Sequence, residues 1–328
     1  MRIAILALPG SMKSAVAGLC DMFWLANEVI AQQPDGEGIS PFESVIITAE
    51  GKPVPDAQGR PIEAEASFVT GGIFDLVIAC GMKLDEQKRP VSPAAILEAG
   101  AWLRGQYDQG AMLAGACAGG LVLAEAGVLN GRACTTTWWL YHTFRQRYPL
   151  SKPVWGKALV QDAKVITSGG PLSWVDLALH IIRLHAGQKL ARLTADMAVA
   201  DSQPLSQQVY APAGFLNSVH PMVMKAEHIV RYENPAITVD QLARALNMTT
   251  RTLHRKMSEE MNESPKNFLT RIRIEKAMRL LEQPGNTIIQ IADACGYVDD
   301  TAFRRAFISV TGMSPGQYRK WIVGRHAE

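Results

Sequence analysis

The chain predicts an α/β domain followed by an all-α domain, and three observations carry that expectation. Apolar and amphipathic runs alternate over roughly the first 185 residues, and a polar, proline-broken stretch follows. Roughly the last hundred residues then hold one helix-turn-helix pattern twice, at a nearly constant offset. Nearly continuous apolar strands separated by helices require a parallel sheet covered on both faces. A flavodoxin-like parallel sheet sandwiched by helices is therefore expected over residues 1–187, a linker over 188–220, and a helical domain with two helix-turn-helix motifs over 221–323.

Strand-like runs fall at 3–8, 44–48, 76–79, 111–115 and 165–167, and amphipathic runs at 15–30, 93–107, 121–126, 138–148 and 173–184. Ligands of such sheets bind beyond the carboxyl ends of the strands. The loops after Leu8, Ala79, Gly115 and Thr167 are the places to look. One of them reads Gly115-Ala116-Cys117-Ala118-Gly119-Gly120. Small neighbours between a strand and a helix suit a strained elbow that pushes one side chain into the open, and the helix N-terminus behind it lowers a thiol pKa. A small core cysteine is the alternative.

The linker contains Asp201-Ser202-Gln203-Pro204-Leu205-Ser206-Gln207-Gln208 and then Ala211-Pro212-Ala213-Gly214, which reads as a stretch of limited order. Beyond it, the first repeat copy has Leu242-Ala243, a turn at Leu246-Asn247-Met248, then Leu253, Arg255 and Met257. The second has Ile291-Ala292, Cys295-Gly296-Tyr297, then Phe303, Arg305 and Phe307. Ala243 pairs with Ala292 at an offset of 49 and Leu253 with Phe303 at 50, so the second turn is one residue longer. Each alanine permits a close helix crossing and each later apolar residue plugs it. Between the copies, Ser264-Pro265 caps and starts a helix with Phe268, Leu269, Ile272, Ala277, Leu280 and Leu281 on a buried stripe, and Arg271, Arg273, Lys276 and Arg279 elsewhere. Pro284-Gly285 ends it, and Gly312, Ser314 and Pro315 repeat the cap chemistry before a last helix with Tyr318 and Trp321.

Two such units can put two helices into successive major-groove faces, roughly 34 Å apart. Charge agrees in its distribution: residues 221–328 carry a net +4 and the remainder −2, so the excess is local to the repeat. Arg251, His254, Arg255 and Lys256 lie on the first candidate recognition helix behind Thr250, and Arg304 and Arg305 on the second behind Thr301. Arginine bridges guanine O6 and N7 or clamps a phosphate, and both roles stay open. Arg255 and Arg305 each follow a core plug by two residues, which also permits a structural or phosphate-facing role. Asp299 and Asp300 read as helix caps.

The composition, 48% hydrophobic and 20% charged, suits a globular chain with room for about two domains. Met1-Arg2 runs directly into an apolar strand, unlike a signal peptide. The longest apolar stretch, 111–124, contains three glycines and falls short of the roughly 18 residues a membrane span needs. Five cysteines without a CxxC pair fit reduced thiols, hence a cytoplasmic protein with no membrane partner.

The stretches LARALNMTTRTLHRKM, SPKNFLTRIRIEKAMRLL, IADACGYVDDTAFRRAF and TGMSPGQYR make residues from about 222 to 322 resemble the AraC family DNA-binding domain. That resemblance implies recognition helices near 250–261 and 301–310 and regulation of transcription at a promoter, with double-stranded DNA and RNA polymerase as partners. AGLCDMFWLAN, FDLVIACG, GACAGGLVLAEAGVLNGRACTTTWW and ITSGGPLSWVDLALHII make roughly residues 1–187 similar to the PfpI-type branch of the class I glutamine-amidotransferase-like fold, in the form fused to AraC domains. The family's elbow cysteine falls on Cys117. Thr137 stands where relatives often carry a histidine, and threonine is no general base at neutral pH. His142, one helical turn further, is the substitute on offer, and Gly10-Ser11-Met12-Lys13-Ser14 supplies no acidic partner.

A pocket without its base still binds. Ser11, Ser14, Cys117, Thr137 and Ser168 offer hydrogen bonds, and Trp138 or Trp139 a wall suited to an alkylammonium or to core packing. The resemblance implies an effector that is a small nitrogenous metabolite; no cofactor and a homodimer formed through the sheet domain are expected, and the missing base implies an enzyme-like domain that is not catalytic. The alternatives are a cysteine-dependent amidase or hydratase with an accessory DNA-binding domain, and a nucleoid protein indifferent to sequence.

Overall fold

The computed structural model describes residues 1–33, 38–201, 205–211, 220–283 and 285–326. Among the sequence-expected features, Ser202, Gln203, Pro204, Pro212, Ala213, Gly214 and Pro284 lie outside the described residues. Two compact units divide the chain, Met1–Gln207 and Gln208–Glu328.

In the first unit, a seven-stranded sheet is built from β1 (Arg2–Leu6), β2 (Glu43–Thr48), β3 (Ala66–Ser67), β4 (Leu76–Ala79), β5 (Met112–Ala116), β6 (Leu159–Asp162) and β7 (Val165–Ser168), in the order β6-β7-β5-β4-β1-β2-β3. Side chains alternate across a strand. In β1, Ile3 and Ile5 therefore join the apolar cluster beneath helices α1 (Lys13–Gln32) and α5 (Trp174–Met197), while Ala4 and Leu6 join the cluster beneath α2 (Pro93–Asp108) and α3 (Gly120–Glu125). The α1–α5 crossing is close: a Cβ on Gly18 would stand 2.3 Å from the Trp174 ring. Among the described residues, α1 is the one helix long and apolar enough by length and composition to cross a bilayer, and here Val16, Leu19, Phe23 and Ala26 lie in the core.

Three features depart from the sequence expectation. The sheet is not wholly parallel, because β6 pairs antiparallel with β7, Leu159 opposite Ser168. Its half-exposed Leu-Val-Gln-Asp sequence lacks the apolar run that marks the buried strands. The expected helix at 138–148 is a tight turn over Trp138–Leu140 followed by α4 (Tyr141–Arg147). The expected linker at 188–220 begins as structure: α5 bends at Gly187 (φ 87°) and continues to Met197, and Leu190, Ala191 and Ala195 belong to the core around α1. The first unit therefore runs through Gln207 instead of ending at 187.

The second unit is helical: α6 (Pro221–His228), a wide turn over Ile229–Glu233, α7 (Val239–Ala245), α8 (Thr250–Met261), α9 (Pro265–Glu282), α10 (Ile288–Ala294), α11 (Asp300–Thr311) and α12 (Pro315–His326). Ser264 accepts the Asn267 N–H and caps α9, whose Phe268, Leu269, Ile272, Ala277 and Leu281 are buried as its pattern requires. Arg271, expected off that stripe, is buried as well. It bonds Glu263 and Glu275, and Arg231 from the preceding wide turn bonds Glu275 and Glu227, which pairs the buried charges, although Arg231 Nη1 has no partner among the described residues. Burial would weaken protonation of Arg271, but the two carboxylates outweigh it and raise its pKa. Arg273 is structural too, donating to the carbonyls of Pro235 and Ile237 just before α7.

Candidate functional site

Two elements of the repeat are built alike. Thr238 and Thr287 each form a reciprocal capping box, with Gln241 and Gln290, and so start α7 and α10 at matching points. The turns differ as the offsets require, four residues from Ala245 to Thr250 and five from Ala294 to Asp300. Asn247 (φ 55°) and Gly296 (φ 78°) supply the left-handed backbone. At Gly296 a Cβ would lie 2.4 Å from the Pro235 carbonyl carbon, so no other residue fits. Thr249 caps α8 by accepting the Thr252 N–H, and Asp299 caps α11 by accepting the N–H groups of Thr301 and Ala302, as expected for Asp299; Asp300 instead opens the helix.

Burial repeats position by position. Leu253 and Met257 point inward on α8, and Phe303 and Phe307 fifty residues later on α11. Arg251, His254, Arg255, Ser258 and Glu259 are exposed, and so are Thr301, Arg304, Arg305, Ile308 and Ser309. Both helices thus present one continuous outward stripe of equivalent positions. Within those stripes Arg255 is held by Glu259 at 3.0 and 3.1 Å, and Arg304 by Asp300 at 2.7 Å. Thr250 donates to Asp240 at 2.8 Å, tying α8 to α7. Lys256 is half-buried at the stripe's margin. The first stripe is the more basic, since Asp299 and Asp300 offset Arg304 and Arg305 on the second.

In the first unit, Cys117 occupies a strained elbow between β5 and α3, with φ 54°. Neighbouring glycines are fixed by close approach: a Cβ on Gly119 would meet the Ala79 carbonyl oxygen at 2.1 Å, and one on Gly115 the Gly120 nitrogen at 3.0 Å. The elbow geometry is therefore present, but the lowered thiol pKa is not. Burial pushes the Cys117 thiol up to about 11, only partly offset by the N–H groups of Ala118 and Gly170, and no charged side chain contributes. The short helical turn over Cys117–Gly119 and the six-residue α3 add too little dipole to outweigh that desolvation.

The other sequence-expected residues divide. Ser11 is buried and accepts the Leu8 N–H at 2.9 Å, holding the turn after β1. Ser168 is buried against Ser173, oxygen to oxygen 2.9 Å. Both hydroxyls serve local structure. Thr137 is 1% exposed and its hydroxyl is without a hydrogen-bond partner among the described residues. The Thr136 hydroxyl, which no sequence motif singles out, is likewise buried without a hydrogen-bond partner among the described residues. Trp138 is half-buried, and its backbone N–H donates to the Gln207 amide oxygen at 2.8 Å. His142 is exposed on α4, with its ring 5.6 Å from that of Tyr141. The five cysteines form no disulfide, and Cys80, Cys117, Cys134 and Cys295 are buried.

The threonine loop adjoins the elbow through the sheet: Thr135 N–H donates to the Thr167 hydroxyl at 2.8 Å, and the Gly170 N–H, just beyond β7, reaches the Cys117 sulfur. A Cβ on Gly169 would stand 2.7 Å from the Thr136 carbonyl oxygen.

A helix-turn-helix domain family matches residues 242–320, and the DJ-1/PfpI family matches residues 38–184. The chain carries an N-terminal DJ-1/PfpI domain and a C-terminal AraC-type helix-turn-helix domain. Among its relatives is the HTH-type transcriptional regulator CdhR of Pseudomonas aeruginosa, 28% identical over 278 residues, covering 84% of this chain and 80% of that protein. The HTH-type transcriptional regulator GbdR of the same species is 25% identical over 279 residues, covering 84% and 74%. The crystal structure of an AraC family transcriptional regulator from Pseudomonas putida aligns with a TM-score of 0.50 at 20% identity, covering 60% of this chain and 98% of that one, a likeness of fold. The DJ-1/PfpI match spans the elbow and the threonine loop, and the helix-turn-helix match spans both outward stripes.

Proposed function

We propose that this chain is a sequence-specific DNA-binding regulator of transcription whose DJ-1/PfpI domain binds a small nitrogenous effector beside Cys117. The observation that carries the reading is the position-by-position identity of burial on α8 and α11, which turns Arg251, His254 and Arg255 outward with Thr301, Arg304 and Arg305 as their counterparts. An ordinary helical hairpin has no need of two equivalent outward stripes, whereas a duplex presents two successive grooves to receive them. The chain works as a cytoplasmic homodimer joined through its sheet domains, and activates a promoter together with RNA polymerase. Effector binding favours the arrangement of readers that fits paired half-sites.

Sensing is favoured over catalysis at Cys117. A thiol pushed up to about 11 without a charged neighbour is a poor nucleophile at neutral pH, while the Thr136 and Thr137 hydroxyls have hydrogen-bonding capacity to give a ligand. Fluorescence anisotropy of the full chain on promoter fragments, across a salt series, tests the DNA reading. Affinity independent of sequence would replace it with nucleoid binding. Thermal-shift screening of the full chain against amino acids and betaines tests the effector class; substrate turnover lost in Cys117→Ala would restore the amidase or hydratase.

A further inference from the structure

We propose that Gln207 is a positioning residue that ties the threonine loop beside the elbow to the start of the DNA-reading unit. The proposal rests on the reading of that loop as the effector site. Gln207 is the last residue of the first unit, and Gln208 opens the second. Its side chain is 5% exposed, turned inward among three backbone segments. The amide oxygen accepts the Trp138 N–H at 2.8 Å, and the amide nitrogen donates to the carbonyls of Thr136 and Lys157, each at 2.9 Å. Its own N–H donates to the Gly156 carbonyl at 2.8 Å, and the neighbouring Ser206 hydroxyl donates to the same oxygen at 2.8 Å.

Space as well as bonding is reserved for this amide. A Cβ on Gly169 would lie 2.0 Å from the Gln207 amide nitrogen and 2.7 Å from the Thr136 carbonyl oxygen, so glycine at 169 is what lets the side chain in. The two residues that bracket Thr137 along the chain, Thr136 and Trp138, are the ones whose backbone Gln207 holds. A ligand that engages the unpartnered Thr136 or Thr137 hydroxyl therefore acts on backbone groups bonded to Gln207, and through it on the chain leading to the readers.

Hydrogen exchange on the full chain tests the idea with Gln207→Met, which keeps the volume and removes the side-chain bonds, and Gly169→Ala, whose Cβ displaces both the amide and the Thr136 carbonyl it bonds. Peptides covering 133–140 and 205–211 should exchange at least tenfold faster in both variants, while β1 peptides exchange as in the wild type. The Kd for a duplex selected from a random pool by the wild-type chain should change at least threefold. Loop exchange within twofold of wild type in Gln207→Met overturns the positioning role. A loosened loop with unchanged Kd overturns the tie to the readers. Neither readout needs an effector, so their failure is separate from a failure of amino acids or betaines to bind.

Discussion

Replacing Arg271 with methionine should destabilise the DNA-reading unit out of proportion to the volume lost. The guanidinium is buried and bonds Glu263 at 3.0 Å and Glu275 at 3.0 Å. Without it Glu263 keeps no partner in this cluster and Glu275 keeps only Arg231, so a buried carboxylate is left uncompensated, at a cost of about 3–5 kcal/mol. For a unit of this size that is a fall in Tm of about 10–20 °C. Circular dichroism melts of the full chain measure it, and exchange of peptides from α9 assigns the loss to the second unit. The pH dependence carries the sign. Burial alone would raise the Glu275 carboxyl, but Arg271 and Arg231 outweigh it and hold it below its ordinary value. The wild type therefore has this stabilisation in full above about pH 4.3 and loses it as pH falls further. In Arg271→Met Glu275 keeps only one of its two cations, so less of this stabilisation remains to be lost and the gap to wild type should narrow as pH falls below about 4.3. A Tm loss under about 3 °C, or a gap that widens on acidification, would refute the account.

Arg251→Ala should raise the Kd for a specific promoter fragment by about 5- to 150-fold, the equivalent of about 1–3 kcal/mol. Arg304→Ala should act in the same direction, and unchanged anisotropy titrations would remove either residue from the interface. With its thiol pushed up to about 11, Cys117 should resist iodoacetamide at pH 7 and label progressively faster as pH rises towards that value. Rapid labelling at neutral pH, followed by mass spectrometry, would return the elbow to the list of nucleophiles. Asp299→Ala removes both cap bonds of α11 and should cost about 0.5–2 kcal/mol of unit stability, seen as a small drop in the same melts.

What the sequence disclosed was whatever repeats or alternates. The 49-to-50 shift in offset foretold the longer second turn, and Leu253, Met257, Phe303 and Phe307 proved to be core because periodicity reports burial directly. Arg271 escaped for the same reason. A charged residue reads as surface, and only the fold brings Glu263, Glu275 and Arg231 around it. The polar, proline-broken run at 201–208 also misled, because it made all of 188–220 read as a linker although Leu190, Ala191 and Ala195 dock the end of α5. Gln207 was hidden in that stretch, since its role depends on partners up to 72 residues away.

The elbow shows how one geometry answers two purposes. Gly115, Gly119 and Gly81 let β4, β5 and α3 close around Cys117, with a Cβ on Gly81 only 3.3 Å from that of the cysteine. A nucleophile needs the same strained backbone but also an ionisable neighbour and access to water, to hold the thiolate. Here the closure removes water, and Thr137 stands where the resemblance leads one to expect the base. The left-handed backbone at Cys117 then serves rigidity instead of reactivity: it fixes the sulfur against the Gly170 N–H and leaves the neighbouring threonine hydroxyls as the groups still able to take a partner.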